Sequence, residues 1–527
     1  LTWRSGNSPI LVGGARPFER RKGPSTVKLF VVKLFVVLAV ATAMAWSVGT
    51  AKAEQPGLDT GLDWPNFYDP EAIRDLNVKI KQQDWDLIRA DDTYDIEVPA
   101  LFWLGAEGEE NAVLVSIRRK SATPIGTKVS FKIDINEYED EDPRARGTWH
   151  GLKKLSLENG DDRDVVAEAM AWYLHRLASN SSADASPSGS IPCNSESCAG
   201  VPAIYPDGHL PGLANWATLT THVVCVSDSD PGTCKDQHRF AFDGTVSVEP
   251  QGVYVNVEQP DKQFLKNRGI WVSDETWLYK QDDPTLMPEV KEAPELIDCS
   301  TDPDGYCISP ASEELQCAPF LPQPDKGRKG KLKPCEHGVV DTLVNMPILL
   351  ATGAVNAFSS NPDELLNHEK NFLFVDYAPN PNVDGERLYF PWDLDSAFSN
   401  GRNQGNVYGE VRKRRGTEEL RQTLYQSLLL QDYDSAKWCT TYNDSLTAMT
   451  NADFVNAAIS YLNLMEEKLT PLVEDDLNSK IGDAEAHFSA LRAWLTDRAD
   501  NVQDQISANC RWVDWLVLEG ERRPISI

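Results

Sequence analysis

Histidine and methionine are scarce in this 527-residue chain, at eight and six residues. No histidines stand at ligand spacing, and none of the ten cysteines belongs to a Cys-x-x-Cys pair. A structural zinc site therefore has little to build on, and no nucleophile motif of the Ser-His-Asp kind accompanies them. Beyond residue 48 no apolar run approaches the roughly 20 residues a membrane span needs. Positive charge is also short, with 51 Lys and Arg against 80 Asp and Glu. Such a surface repels nucleic acid and favours cations or basic partners. Internal repeats are absent apart from the tandem VKLFV near the N-terminus.

What is present suits a large folded chain. The length predicts roughly two to four domains at about 150 residues each, and fifteen tryptophans argue against disorder. Arg20, Arg21, Lys22, Lys28 and Lys33 precede an apolar run from Leu34 to Val48, and Ala51-Lys52-Ala53 follows as a small-x-small site. This reads as a signal peptide over 1–53, cleaved after Ala53, with an uncleaved anchor as the alternative. The mature protein would be secreted, cell-surface or periplasmic and would keep no stable membrane span. It would hold 43 basic and 79 acidic residues, a net charge of about −36. An even number of cysteines in an exported chain predicts disulfides. Spacing suggests Cys193–Cys198, Cys225–Cys234, Cys299–Cys307, Cys317–Cys335 and Cys439–Cys510.

Along the chain, ENAVLVSIRRK and KVSFKIDINE alternate as strands do. In the second, Val129, Phe131, Ile133 and Ile135 share one face, and Lys128, Ser130, Lys132 and Asp134 share the other. DDRDVVAEAMAWYLHRLAS has acids in its first turn, bases in its last and apolar residues at helical spacing, so a helix carrying Glu168 is predicted. Residues 180–200 are Ser-rich loop. An irregular, cysteine-bearing insertion spans about 281–337. Within it STDPDGYC is a fragment of a calcium loop, for which an ordinary Asp-Gly turn is the commoner reading. A long apolar helix follows at VVDTLVNMPILLATGAVNAF. NFLFVDY and RLYFPWDLD then flank a turn with Asp384-Gly385, a hairpin signal. From about residue 417 the pattern is helical.

The hairpin ends in Trp392-Asp393-Leu394-Asp395, two carboxylates in an apolar setting that calls for a compensating cation. In a strand both would reach one cation from the same face. Phosphoryl transfer needs cations for phosphate oxygens, carboxylates or amides for Mg²⁺, and one carboxylate to orient the attacking hydroxyl. Lys128 or Lys132, Glu168, Asp363, Asn371, and Asp393 or Asp395 occur in the order such a site would use. Each alone has a plainer reading as a solvated strand face, a helix surface or a turn.

Several blocks resemble the CotH kinase family, the spore coat protein H-like atypical secreted protein kinases. VSIRRKSATPIGTKVSFKIDIN, GLKKLSLENGDDRDVVAEAMAWYLHRL, GVYVNVEQPDKQFLKNR, NPDELLNHEKNFLFVDY and YFPWDLDSAF are similar to family blocks and stand in family order, covering about residues 70 to 510. The resemblance implies an α+β, atypical protein-kinase-like fold. Antiparallel strands and helices would be joined by a helical C-terminal region and disulfide-rich insertions. A kinase-like domain would span 54–416, with Cys-rich insertions at about 181–235 and 281–337, and its helical region would span 417–527. The implied activity is metal-dependent transfer of the ATP γ-phosphate to protein Ser or Thr. Lys132 or Lys128 would touch the ATP phosphates, with Trp392 either structural or lining the nucleotide site. Asp363 would accept the substrate proton, with Glu364 and Glu369 as register alternatives. Asn371 with Asp393 or Asp395 would hold Mg²⁺ or Mn²⁺. Glu168 as partner of the strand lysine follows from helix position alone.

The alternative is a non-catalytic CotH-like surface, adhesion or metal-binding protein, in which Asp-x-Asp takes Ca²⁺ or nothing. Export, acidity and disulfides favour it. So does the turn Arg118 to Gly126, which has no glycine before Gly126 to let backbone amides approach phosphates.

Overall fold

The computed structural model describes residues 62–120, 128–159, 165–179, 201–206, 209–225, 238–272, 275–282, 288–293, 343–368, 370–377, 386–398, 406–408, 412–413, 420–421, 435–474, 476 and 484–508. The signal segment 1–53 and most of both Cys-rich insertions lie outside them. So does at least one cysteine of each expected disulfide. Only Cys225 and Cys439 are described, and neither is a free thiol.

Seven strands close into a barrel: β1 (Ile73–Lys81), β2 (Val98–Leu104), β3 (Val113–Arg119), β4 (Phe131–Asp134), β5 (Lys154–Glu158), β6 (Ala214–Cys225) and β7 (Thr245–Glu258). Their order around the barrel is β1-β2-β3-β4-β5-β7-β6. Neighbours are antiparallel except at the closing seam, where β1 runs parallel to β6 from the Ile73↔Trp216 pair to the Lys81↔Val224 pair. Period-two alternation sends Val115, Ile117, Phe131, Ile133, Leu155 and Leu157 into one buried cluster inside the barrel. Their alternates, Arg118, Lys132 and Ser156, line up across β3, β4 and β5 on the outer face.

This architecture corrects the expected fold. A sheet closed on itself is not the layout of a protein kinase, and the alternation in ENAVLVSIRRK and KVSFKIDINE suits an open sheet and a closed barrel equally. What closes the barrel is a pairing between segments more than a hundred residues apart, which local pattern does not encode.

A second, antiparallel sheet has the order β11-β10-β8-β9, from β8 (Trp277–Gln281), β9 (Glu289–Glu292), β10 (Phe372–Tyr377) and β11 (Glu386–Pro391). The helix α1 (Gln82–Ala90) follows β1, and α2 (Val165–Ala178) is buried along its whole length. After the short α3 (Lys262–Asn267) comes α4 (Met346–Phe358), whose start is capped by Asn345 accepting from Ile348 N. A short α5 (Leu365–His368) precedes β10, and α6 (Ser435–Met449), α7 (Ala452–Glu474) and α8 (Ala484–Ala508) form the C-terminal region. The outer faces of β6 and β7, through Trp216, Val253, Val255 and Val257, join α2, α4, the second sheet and the C-terminal helices in the larger core. Arg498 on α8 donates to the carbonyls of Ala357 (2.6 Å) and Phe358 (3.2 Å) at the end of α4. No helix among the described residues is long and apolar enough to cross a membrane.

Candidate functional site: a carboxylate and lysine cleft

The end of β3, the end of β5, one side of α2 and the open end of the second sheet present charged side chains to a common space. Lys120 directly follows β3. Its ammonium donates to Ser156 Oγ (2.9 Å) and makes a short ion pair with Glu158, while Ser156 Oγ donates to Glu158 Oε1 (2.5 Å). Burial works against the Lys120 charge, but Glu158 leads Asp393 and Glu168 in outweighing it, and the pKa is held above the usual lysine value.

Glu168 sits in the first turn of α2, a position the helix dipole favours for an acid, and only 4% of its surface is exposed. Burial pushes its pKa well above the ordinary carboxylate range, and repulsion from Glu158, Asp395 and Asp393 adds to this against the opposing pull of Lys120. Among the described residues its carboxylate receives no hydrogen bond.

Asp393 follows β11. Desolvation by surrounding protein raises its pKa first, with Lys120 and Lys280 lowering it and Glu158 and Asp282 raising it. Yet its side chain keeps solvent access. Asp393 is thus crowded by protein on one side and open to water on the other. Trp392, buried beside it, has Lys120 Nζ 5.3 Å and Lys280 Nζ 5.1 Å from its ring centroid. Strand register explains the convergence. Phe372 of β10 pairs with both Pro391 of β11 and Gln281 of β8, so residues 280–282, 371 and 392–393 share one sheet end. Asn371 and Asp393 both hold left-handed backbone there, at φ 56° and 55°. Asn and Asp tolerate that region best among non-glycine residues, and such conformations gather at functional sites.

The structure thus brings together Glu168, Trp392, Asp393 and Asp395, with Asn371 at the same sheet end. Asp363 pairs with Lys370 (2.7 Å), the residue before Asn371. Lys128 is committed elsewhere, bound to Asp476 (2.7 Å) and to the Val253 carbonyl, with its ammonium 4.4 Å from the Tyr254 ring centroid. Lys132 stands between Arg118 and Ser156 on the outer barrel face. Burial, then Lys154 and Arg118, lower its pKa to about 8. The lysine that reaches the acids is Lys120, missed from sequence although it stands two residues after Arg118 in an alternating stretch. Glu158 and Lys280 were missed as well. A strand-terminal Glu and a strand Lys carry no local signal of their own.

No group of three or more His, Cys, Asp or Glu side chains among the described residues is arranged to hold a metal ion. The donor chemistry still fits one kind of metal. Five carboxylates (Glu158, Glu168, Asp282, Asp393, Asp395) face two lysines, and the pKa values of Glu168 and Asp393 are raised. That excess suits a cation held by one or two carboxylates and completed by phosphate oxygens and water, as Mg²⁺ commonly is. No protein-family model matches the chain, and no curated protein matches it.

Proposed function

We propose that the chain transfers the γ-phosphoryl group of ATP, carried with Mg²⁺ or Mn²⁺, to a Ser or Thr hydroxyl of a protein in an exported setting. The reading rests on the site and not on the architecture, since one chemistry recurs on unrelated folds. One observation carries it: two lysines (Lys120, Lys280) and five carboxylates from separate parts of the chain gather in one cluster with an excess of acid, and Asp393 opens it to solvent. Phosphoryl transfer is mostly positioning and charge stabilisation, and this set supports both.

Lys120 would neutralise phosphate oxygens, and Glu168 would steady it once Glu158 lets go. Asp393 and Asp395, with the Asn371 amide, would hold the divalent cation, which supplies charge neutralisation between neighbouring phosphates. Asp363 would accept the hydroxyl proton after parting from Lys370. Trp392 would serve as a rigid wall to the cleft. The acidic chain as a whole favours a basic protein acceptor over an acidic one and disfavours nucleic acid. The resemblance to the CotH kinase family supports the same chemistry without its expected fold.

The test incubates full-length protein with γ-labelled ATP, Mg²⁺ or Mn²⁺ and a basic Ser-rich protein. Label should pass to the acceptor only with metal, and Asp393→Asn and Lys120→Gln should each lower the rate at least a hundredfold. A folded sample that neither binds ATP nor transfers label rejects the proposal. A second reading, a non-catalytic surface or Ca²⁺-binding module, draws on the Asp363–Lys370 pair, which occupies the expected base. It predicts folded protein inert toward ATP.

A further inference from the structure

Lys280 and Lys120 reach the same indole from different sheets. Lys120 follows β3 of the barrel, whereas Lys280 belongs to β8, and both act on Asp393 in the same direction. Their present partners differ. Lys120 is held by Ser156 and by Glu158, whose side chain is 17% exposed. Among the described residues the ion pair of Lys280 is with Asp282, at 2.7 Å, and that carboxylate is 51% exposed. An ion pair open to water contributes little, so exchanging Asp282 for another anion costs little. The backbone of Lys280 is fixed near the end of an inner strand, paired to Leu373 of β10 on one side and to Glu289 of β9 on the other. Only 18% of its side chain is exposed, so the stem is packed and the ammonium is aimed rather than free to wander.

We propose that Lys280 is a phosphate-binding residue, the second of two cations beside Trp392-Asp393 that grip a polyphosphate. This deepens the phosphoryl-transfer reading and rests on it. Asp282 then acts as the placeholder that the incoming phosphate displaces. Neither residue belongs to the set foreseen from sequence, and the assignment needs no bound metal, because an ammonium meets phosphate oxygens directly.

Full-length wild type, Lys280→Gln, Lys280→Arg and Asp282→Asn are titrated calorimetrically with ATP plus Mg²⁺ and with inorganic tripolyphosphate free of metal. Circular dichroism melts confirm that each variant is folded. Lys280→Gln should weaken both ligands about tenfold and flatten the salt dependence of binding, and Lys280→Arg should recover most of the loss. Asp282→Asn should tighten both ligands, an effect that a merely structural lysine would not produce. Wild-type binding with Lys280→Gln within twofold and Asp282→Asn unchanged overturns the Lys280 assignment and leaves phosphoryl transfer standing. Wild type that binds neither ligand overturns both.

Discussion

Glu258 and Glu168 are both acids with less than 5% of their surface exposed, and the molecule treats them in opposite ways. Glu258, at the end of β7, receives both nitrogens of the Arg268 fork (2.6 and 3.0 Å), the Trp64 indole N–H (2.8 Å) and the Leu213 amide (3.1 Å). Each lone pair that burial strips of water is given back a donor, and the pair knits the barrel end to α3 and to the segment before β1. Glu168 receives none of this among the described residues and faces three further carboxylates. Matched burial of charge builds structure; unmatched burial stores a demand for a cation. The difference separates scaffold from site more cleanly than exposure does.

The widest gap between the two should appear on neutralisation. Arg268→Ala leaves Glu258 buried without its main partner and should cost about 3–5 kcal/mol in denaturant unfolding. Glu168→Gln should do the reverse. Removing a charge whose folded pKa is raised relieves a penalty present at neutral pH, so the ligand-free melting temperature should rise while phosphoryl transfer is lost. A fall in stability for Glu168→Gln would place it in the scaffold beside Glu258.

Gly252 tests the scaffold in the middle of β7. It holds φ 89°, and a Cβ there would strike the Asp476 carboxylate. Asp476 accepts from Val253 N (3.0 Å) and pairs with Lys128, tying the segment after α7 to the barrel. Gly252→Ala should cost about 2–3 kcal/mol from backbone strain plus the broken contact, read as a lowered denaturant midpoint.

A subtler contrast is one of sign with pH. His175, bonded by Tyr205 and Asn356, and His209 are both driven by burial to a pKa of about 3. The unfolded chain takes up these protons near pH 6.5 while the folded one refuses them. Stability is therefore lost as pH falls from about 6.5 toward 3, at up to about 1.4 kcal/mol per pH unit for each histidine. Asp261 runs the other way, since burial lifts its pKa to about 6. The folded state takes its proton first, so this group favours folding as pH drops below about 6. Equilibrium unfolding from pH 8 to 4 should show net acid destabilisation, and His175→Asn together with His209→Asn should flatten it.

The smallest expected effect is at Trp392. Phenylalanine keeps the apolar wall and weakens only the cation–π contacts to Lys120 and Lys280, worth about 0.5–2 kcal/mol each. Trp392→Phe should lower nucleotide affinity severalfold while leaving the fold intact.

Which parts were legible in the sequence follows from the range of the forces involved. The Asp-x-Asp hairpin and the Glu168 helix were readable because turn chemistry, helix caps and periodicity are local signals. Barrel closure through β1 and β6 was not, because its partners lie far apart and each strand alternates as it would in any sheet. Lys120 was passed over for Lys128 and Lys132 because all three belong to stretches that alternate polar and apolar residues, and only the fold decides which ammonium finds acids. Lys128 instead meets Asp476, nearly 350 residues away along the chain.

Thermal unfolding with and without ATP plus Mg²⁺ tests most directly whether the unmatched acids form a nucleotide-metal site. Binding to the folded state alone must raise the melting temperature. Wild type should shift upward by several degrees at millimolar ligand, and Asp393→Asn combined with Asp395→Asn should not shift at all. An unmoved wild-type transition, or an equal shift in the double variant, would contradict the assignment of this cleft.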